Sequence, residues 1–204
     1  MPGKRKPVRV GVTGGIGAGK STICGIFSVL GIPVYLADDR AKFLMENNPQ
    51  IAAEIVKKFS EQAYQNGKLN RAFLAGTVFN DDERLHQLNE IVHPQVIADF
   101  EEWASAQADV SYLIKEAALL FESGSYLTLD KVILVCCPPE TRIRRILLRD
   151  TGRSREEIEK IIEKQWSDQE KKKLADFVIE NDDSIPVLPR VLTIHEQLLQ
   201  FMEK

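Results

Sequence analysis

The residues best able to do chemistry in this sequence stand together near its start, in Gly14-Gly15-Ile16-Gly17-Ala18-Gly19-Lys20-Ser21. They fit the spacing Gly-x-x-x-x-Gly-Lys-Ser/Thr, a loop that wraps phosphates. Glycines let the backbone curl until successive N–H groups converge on a β-phosphate, and a following helix adds its positive end. In that geometry Lys20 bridges the β- and γ-phosphates, the Ser21 hydroxyl ligates Mg²⁺, and Thr22 reaches the α-phosphate. Gly15, Gly17, Ala18, Gly19, Lys20, Ser21 and Thr22 are therefore expected to bind a nucleoside triphosphate, ATP with Mg²⁺. A chance glycine turn is the competing reading, and a strand before the loop with a helix after it argues against that.

Two further sets could act on the same phosphates. Asp38-Asp39 follow the second expected strand, where an open parallel sheet binds its ligands. A carboxylate there can take the proton from an attacking hydroxyl; it can equally cap a helix. Arg142, Arg145 and Arg149 are spaced i, i+3, i+7, which gathers them on one helix face. Clustered guanidinium groups suit triphosphate oxygens, or they form a solvated basic face. Arg144 points elsewhere.

The elements that must position these residues can be read from periodicity. Val8–Val12 alternates as a strand, then Ile23, Ile26, Phe27 and Leu30 recur at helical spacing before Gly31 and Pro33 end the helix. A strand at Pro33–Leu36 completes a βαβ unit and implies a parallel sheet. From Asp38 to about Ala108 only helical patterns appear (Ile51, Ile55, Val56, Phe59; then Leu85, Leu88, Val92, Val96, Phe100, Trp103), with no convincing strand. Strands resume at Tyr112–Ile114 and Lys131–Cys136. Pro138-Pro139 open a helix to Arg149, Ser154-Arg155-Glu156-Glu157 has capping-box spacing for a charged helix reaching about Gln165, and Phe177–Ile179 precedes a terminal helix through Leu199. Residues 142–172 are charged and weakly apolar and read as a mobile cover.

Composition narrows the class. The 204 residues are 44% hydrophobic and 28% charged, with 27 basic against 30 acidic side chains and a net charge of −3. That offers no bulk attraction for nucleic acid or an anionic membrane, and no apolar run approaches a membrane span. Lys4-Arg5-Lys6 reads as a solvated tail. Cys24, Cys136 and Cys137 lack metal-ligand spacing and read as buried reduced thiols, in keeping with a cytoplasmic setting.

With these features in place, the chain resembles the dephospho-CoA kinase family nearly end to end. The resemblance is carried by Val12–Thr22, Gly31-Ile32-Pro33-Val34, Ala37-Asp38, Leu69-Asn70-Arg71, Val78-Phe79, Leu88-Asn89-Glu90-Ile91-Val92-His93-Pro94, Leu119-Leu120-Phe121-Glu122, Arg145 with Arg149, Gln165 and Ala175–Asn181. It implies transfer of the ATP γ-phosphate to the ribose 3′-hydroxyl of dephospho-CoA, with Asp38 as general base. It also implies an α/β fold: a P-loop NTPase three-layer α/β/α core with a parallel sheet (about 7–37, 109–141 and 173–204), a helical substrate-binding insert (about 38–108) and a helical lid (about 142–172). Lys20, Arg145 and Arg149 would assist catalysis, Arg142 and Asn181 would contact the nucleotide, and Arg71, His93, Glu116 and Leu119 would join Asp38 in holding the acceptor. Dephospho-CoA would be the small-molecule partner, with neither nucleic acid nor membrane, in a monomer or small homo-oligomer.

The sequence departs from the family at three places. Leu36 replaces the first acid of an Asp-Ala-Asp motif, Ala117-Ala118 stand where a proline is usual, and Ile161 stands where a base is common, with Lys160 beside it. His93 reads as a structural histidine ending a helix turn or as an acceptor contact; Asn181 as an adenine contact or a turn residue. Phe121, Trp103 and Trp166 read as packing residues. Rival functions are a P-loop kinase for another metabolite or nucleoside monophosphate, and a nucleotide switch; the Asn-Lys-x-Asp element of GTP switches is missing from the sequence.

Overall fold

The computed structural model describes residues 6–78, 81–107 and 110–201. Along the chain run β1 (Val8–Thr13), α1 (Lys20–Val29), β2 (Val34–Leu36), α2 (Ala37–Asn47), α3 (Pro49–Lys58), β3 (Tyr64–Gln65), β4 (Lys68–Leu69), α4 (Arg71–Val78) and α5 (Asp82–Ser105). Then follow β5 (Tyr112–Glu116), β6 (Lys131–Cys136), α6 (Pro139–Arg149), α7 (Arg155–Glu163), α8 (Asp168–Lys172), β7 (Phe177–Glu180) and α9 (Leu188–Phe201). Lys4, Arg5, Phe79 and Ala108, all used in the sequence reading, lie outside the described residues.

Five strands form one parallel sheet in the order β2-β5-β1-β6-β7. The chain leaves β1 toward one edge and later returns to its other side, so β1 sits at the point where strand order reverses. Val12 is in register with Glu116 of β5 and Ile133 of β6, so these strands end at one level. Alternation along the strands divides the core between the sheet faces. Val10, Val12, Tyr112, Ile114, Ile133 and Val135 pack with Ile23 and Phe27 of α1 and with Val191, Ile194 and Leu198 of α9. Tyr112 is fully buried, donates to or accepts from His195 Nδ1 at 2.6 Å and meets Phe27 edge-on.

Two compact units result: residues up to 36 together with those from 107 onward, and residues 37–106. The second unit is helical, as its periodicity predicts. Ile51, Ile55, Leu74, Val92, Val96 and Phe100 are buried, and Trp103 stacks on Phe100. One expectation fails here. A short antiparallel hairpin, β3–β4, interrupts the helices. Its turn is Asn66-Gly67, both residues at positive φ, the dipeptide most favoured in two-residue hairpins; strands of two residues are too short to alternate visibly. The helical spacing of Leu85, Leu88, Val92, Val96, Phe100 and Trp103 is borne out, and α5 runs unbroken through His93 and Pro94 to Ser105. Proline removes one N–H, and a helix of 24 residues retains enough packing on both sides to continue.

Among the described residues no helix is long and apolar enough to cross a membrane. Cys24, Cys136 and Cys137 are free and buried, as expected.

Candidate functional site: the phosphate loop and its braces

Helix ends differ sharply in this molecule. Asn48, Asp81, Ser154 and Ser167 cap α3, α5, α7 and α8 with their side chains, and the last two are reciprocal capping boxes. The capping box expected at Ser154 is therefore present. Helix α1 is different. Its N-cap is Gly19, at φ 95°, with no side-chain cap and no acid in the first turn. The positive end of α1 is left for an external anion.

The loop before α1 is shaped by contacts as well as by glycine freedom. A Cβ on Gly19 would overlap Asn181 Nδ2, and one on Gly15 would overlap the Arg142 guanidinium. Lys20 folds back so that Nζ donates to Gly14 O at 3.0 Å, and it lies 3.8 Å from Glu116 Oε1. Glu116 ends β5 and is buried to 9% exposure. The structure thus places it beside Lys20. Ser21 and Thr22 are exposed at the start of α1.

Helix α6 presses two of its four arginines on this loop. Arg142 is 6% exposed and packs over Gly15. Arg145 Nη1 donates to Ala18 O and Cys137 Sγ, both at 3.5 Å, while Nη2 donates to Asn181 Oδ1 at 3.4 Å and Asp183 Oδ1 at 2.5 Å. Asn181 Nδ2 donates to Ala18 O at 2.8 Å. Asn181 thus braces the loop backbone. Arg149 is not brought to the loop; it pairs with its neighbour Asp150, which raises the arginine's pKa and lowers that of the carboxylate. Arg144 is exposed and shares Asp183 with Arg145, its Nη2 donating to Oδ2 at 2.8 Å.

Residues 142–172 carry a small core of their own. Ile143, Ile146 and Ile158 are buried and pack with Ile162 and with Ile16 of the loop. Lys171 is fully buried. Trp166 departs from the packing role expected of it, at 43% exposure, whereas Phe121 is buried. Lys160 is exposed. Sequence reasoning assigned no role to Gln165, whose Oε1 accepts the Ile16 N–H at 2.9 Å; periodicity carries no signal for such a contact across 149 positions.

Asp38 is the second residue of α2, exposed and inside its first turn. The capping position therefore falls earlier in the chain. In the helical unit Arg71 Nη2 donates to Glu46 Oε1 at 2.8 Å, and His93 is exposed midway along α5. Leu119 is exposed after β5.

The thiols near the loop are unreactive by environment. Burial, aided by the Glu116 charge and opposed by Lys20, pushes Cys24 up to about 12. Burial, with Asp168 and Glu180 adding to it, does the same for Cys136.

Comparison with known proteins agrees with this geometry. The chain matches the dephospho-CoA kinase (CoaE) family over residues 8–186. It is 36% identical over 193 residues to a dephospho-CoA kinase of Bacteroides fragilis, covering 95% of this chain and 94% of that protein. A solved Thermus thermophilus structure is 35% identical with TM-score 0.84, over 96% of this chain and 99% of that one. The solved dephospho-CoA kinase of Campylobacter jejuni is 30% identical with TM-score 0.69, over 94% and 97%.

Proposed function

Because the chain belongs to the dephospho-CoA kinase family, we propose that it transfers the γ-phosphate of ATP to the ribose 3′-hydroxyl of dephospho-CoA, giving coenzyme A and ADP. The observation that carries this reading is the uncapped, acid-free N-terminus of α1, with Lys20 held at Gly14 O beside Glu116. A triphosphate docked there meets converging N–H groups and the helix dipole without competition from a side chain.

Mg²⁺ fits the donor set. Ser21 offers a hydroxyl at the start of α1 and Glu116 a carboxylate at the end of β5. Among the described residues no group of three or more His, Cys, Asp or Glu side chains gathers to hold a metal; the ion here would take its remaining ligands from phosphate oxygens and water. When bound it would neutralise charge on the β- and γ-phosphates.

The chain's own groups do the rest. Lys20 exchanges Gly14 O for phosphate oxygens. Asp38 accepts the proton of the attacking 3′-hydroxyl and aligns it with the γ-phosphorus. Arg142 and Arg145, already seated against the loop, present charge to the triphosphate, and Arg149 exchanges Asp150 for the transferring phosphoryl group. Residues 142–172 act as the lid that keeps water from that group. Arg71, His93, Glu116 and Leu119 hold the acceptor; Asn181 supports the nucleotide end. The enzyme works in the cytoplasm on a small molecule.

The deciding assay follows ADP formation with dephospho-CoA against a panel of nucleoside monophosphates, with ATP or GTP, and with or without Mg²⁺. Selective turnover of dephospho-CoA is expected; turnover of a nucleoside monophosphate in its place overturns the proposal. Asp38→Asn should lower kcat by roughly 10²- to 10⁴-fold, the range of general acid–base catalysis, with ATP affinity unchanged. An Asp38→Asn enzyme with the parent kcat removes Asp38 as the base.

A further inference from the structure

Residues 165–171 are fastened at four points that the phosphate-binding reading does not use. Gln165 Oε1 accepts the Ile16 N–H at 2.9 Å, and Glu122 Oε1 accepts the Trp166 N–H at 3.0 Å. Asp168 Oδ2 accepts the Cys137 N–H at 3.3 Å, and Lys171 Nζ lies 2.8 Å from Glu122 Oε1. That last contact is an ion pair; Lys171 Nζ makes no hydrogen bond among the described residues. Lys171 is fully buried, so its charge is tolerable only because the Glu122 carboxylate sits against it. An ammonium held this way resists displacement, because moving either partner strands a charge out of water.

Three of the four fastenings connect to the phosphate loop. Glu122 holds the Trp166 amide, which fixes the preceding side chain, Gln165. Gln165 in turn holds the Ile16 amide and packs, with Arg142, where a Cβ on Gly15 would stand. The Ile16 N–H and the Gly15 carbonyl belong to one planar peptide group, and Gly15 O accepts the Ala18 N–H at 3.1 Å. Fixing the Ile16 N–H therefore also orients the carbonyl that closes the loop turn. The grip of Gln165 is thereby passed to the turn that shapes the phosphate loop.

We propose that Gln165 is a positioning residue for the triphosphate, holding the phosphate loop through the Ile16 amide, and that the buried Glu122–Lys171 pair is its anchor. The inference rests on the reading that this loop binds ATP, and not on the identity of the acceptor. Gln165 touches no reacting atom; it acts through the loop.

The test is ATP affinity measured directly by calorimetry without acceptor, together with KM for ATP and for dephospho-CoA. Gln165→Met, which keeps length and removes the amide, is expected to raise the ATP Kd about ten-fold, the worth of one hydrogen bond. The unfolding midpoint and the KM for dephospho-CoA should stay at their parent values. Lys171→Met alone, which strands the Glu122 charge, should weaken ATP binding as well. The Glu122→Gln/Lys171→Met double variant keeps an acceptor for the Trp166 N–H without any buried charge and should return ATP affinity toward the parent. An unchanged ATP Kd in Gln165→Met overturns the proposal, as does a loss shared equally between the two substrates. A parent enzyme that binds ATP but ignores dephospho-CoA would fail the acceptor assignment while leaving this test intact.

Discussion

The phosphate loop and the helical unit put their polar side chains to different uses. Around the phosphate loop, side chains reach for main-chain atoms: Lys20 for Gly14 O, Asn181 and Arg145 for Ala18 O, Gln165 for the Ile16 N–H. In the helical unit the charged groups reach for each other. Arg40 grips both oxygens of Asp99, and Arg71 grips Glu46. A phosphate cradle is made of backbone amides, so its accessory side chains must hold backbone in place. The helices already satisfy their own backbone internally, so their charged groups are free to tie helix to helix.

Four perturbations should separate the two regimes. The largest effect is expected from Lys20→Met, which removes charge where the backbone has been shaped to receive phosphate. Steady-state kinetics should show kcat/KM down roughly 10³-fold, comparable to losing a preorganised transition-state donor, while the melting of the helical unit is unaffected.

Alkaline pH comes next. Buried thiols stay protonated in the folded state, so Cys24 and Cys136, raised to about 12, bind protons that the unfolded chain releases from about pH 9. Their contribution is complete below pH 9 and is lost as pH climbs toward 12, by at most about 1.4 kcal/mol per pH unit for each thiol. All three cysteines belong to the sheet-built unit. Denaturation followed between pH 8 and 10.5 should therefore weaken that unit first. The two tryptophans report separately, Trp166 in that unit and Trp103 in the helical one, so single-tryptophan variants distinguish the outcomes.

Asp99→Asn should act on the helical unit alone. Loss of the charged partner of Arg40 is expected to cost about 1.5–3 kcal/mol, the range for hydrogen bonds to charged groups. Trp103 fluorescence in a Trp166→Phe background should record the loss, with ATP affinity unchanged. The smallest effect is expected at Ser154→Ala, where deleting the capping hydroxyl of α7 should cost about 1 kcal/mol. Hydrogen exchange should speed up in α7 and remain at the parent rate in α3, capped separately by Asn48.

Legibility followed the same division. Gly14 to Ser21 could be read outright, because the backbone of a phosphate loop is spelled by glycines at set positions. The burial of the strands and the phase of Arg142 and Arg145 on α6 were equally readable, since periods of 2 and 3.6 are local. The Asn66-Gly67 hairpin was written in its turn but hidden by strands of two residues. The spacing from Leu85 to Trp103 carried α5 across Pro94, as the structure has it.

What the sequence determined by itself is the sheet-and-helix alternation, the helical character of residues 37–106, and the loop with its lysine, because each depends on neighbours within a few residues. Only the tertiary structure decided that Glu116 stands beside Lys20, that Asn181 and Arg145 share Ala18 O, that Arg149 keeps company with Asp150, and that Gln165 closes on Ile16. Apart from the local Arg149 pair, these pairings link residues 96 to 163 positions apart. Side chains so distant meet only once the strands have set their ends at one level, and no local pattern encodes that meeting.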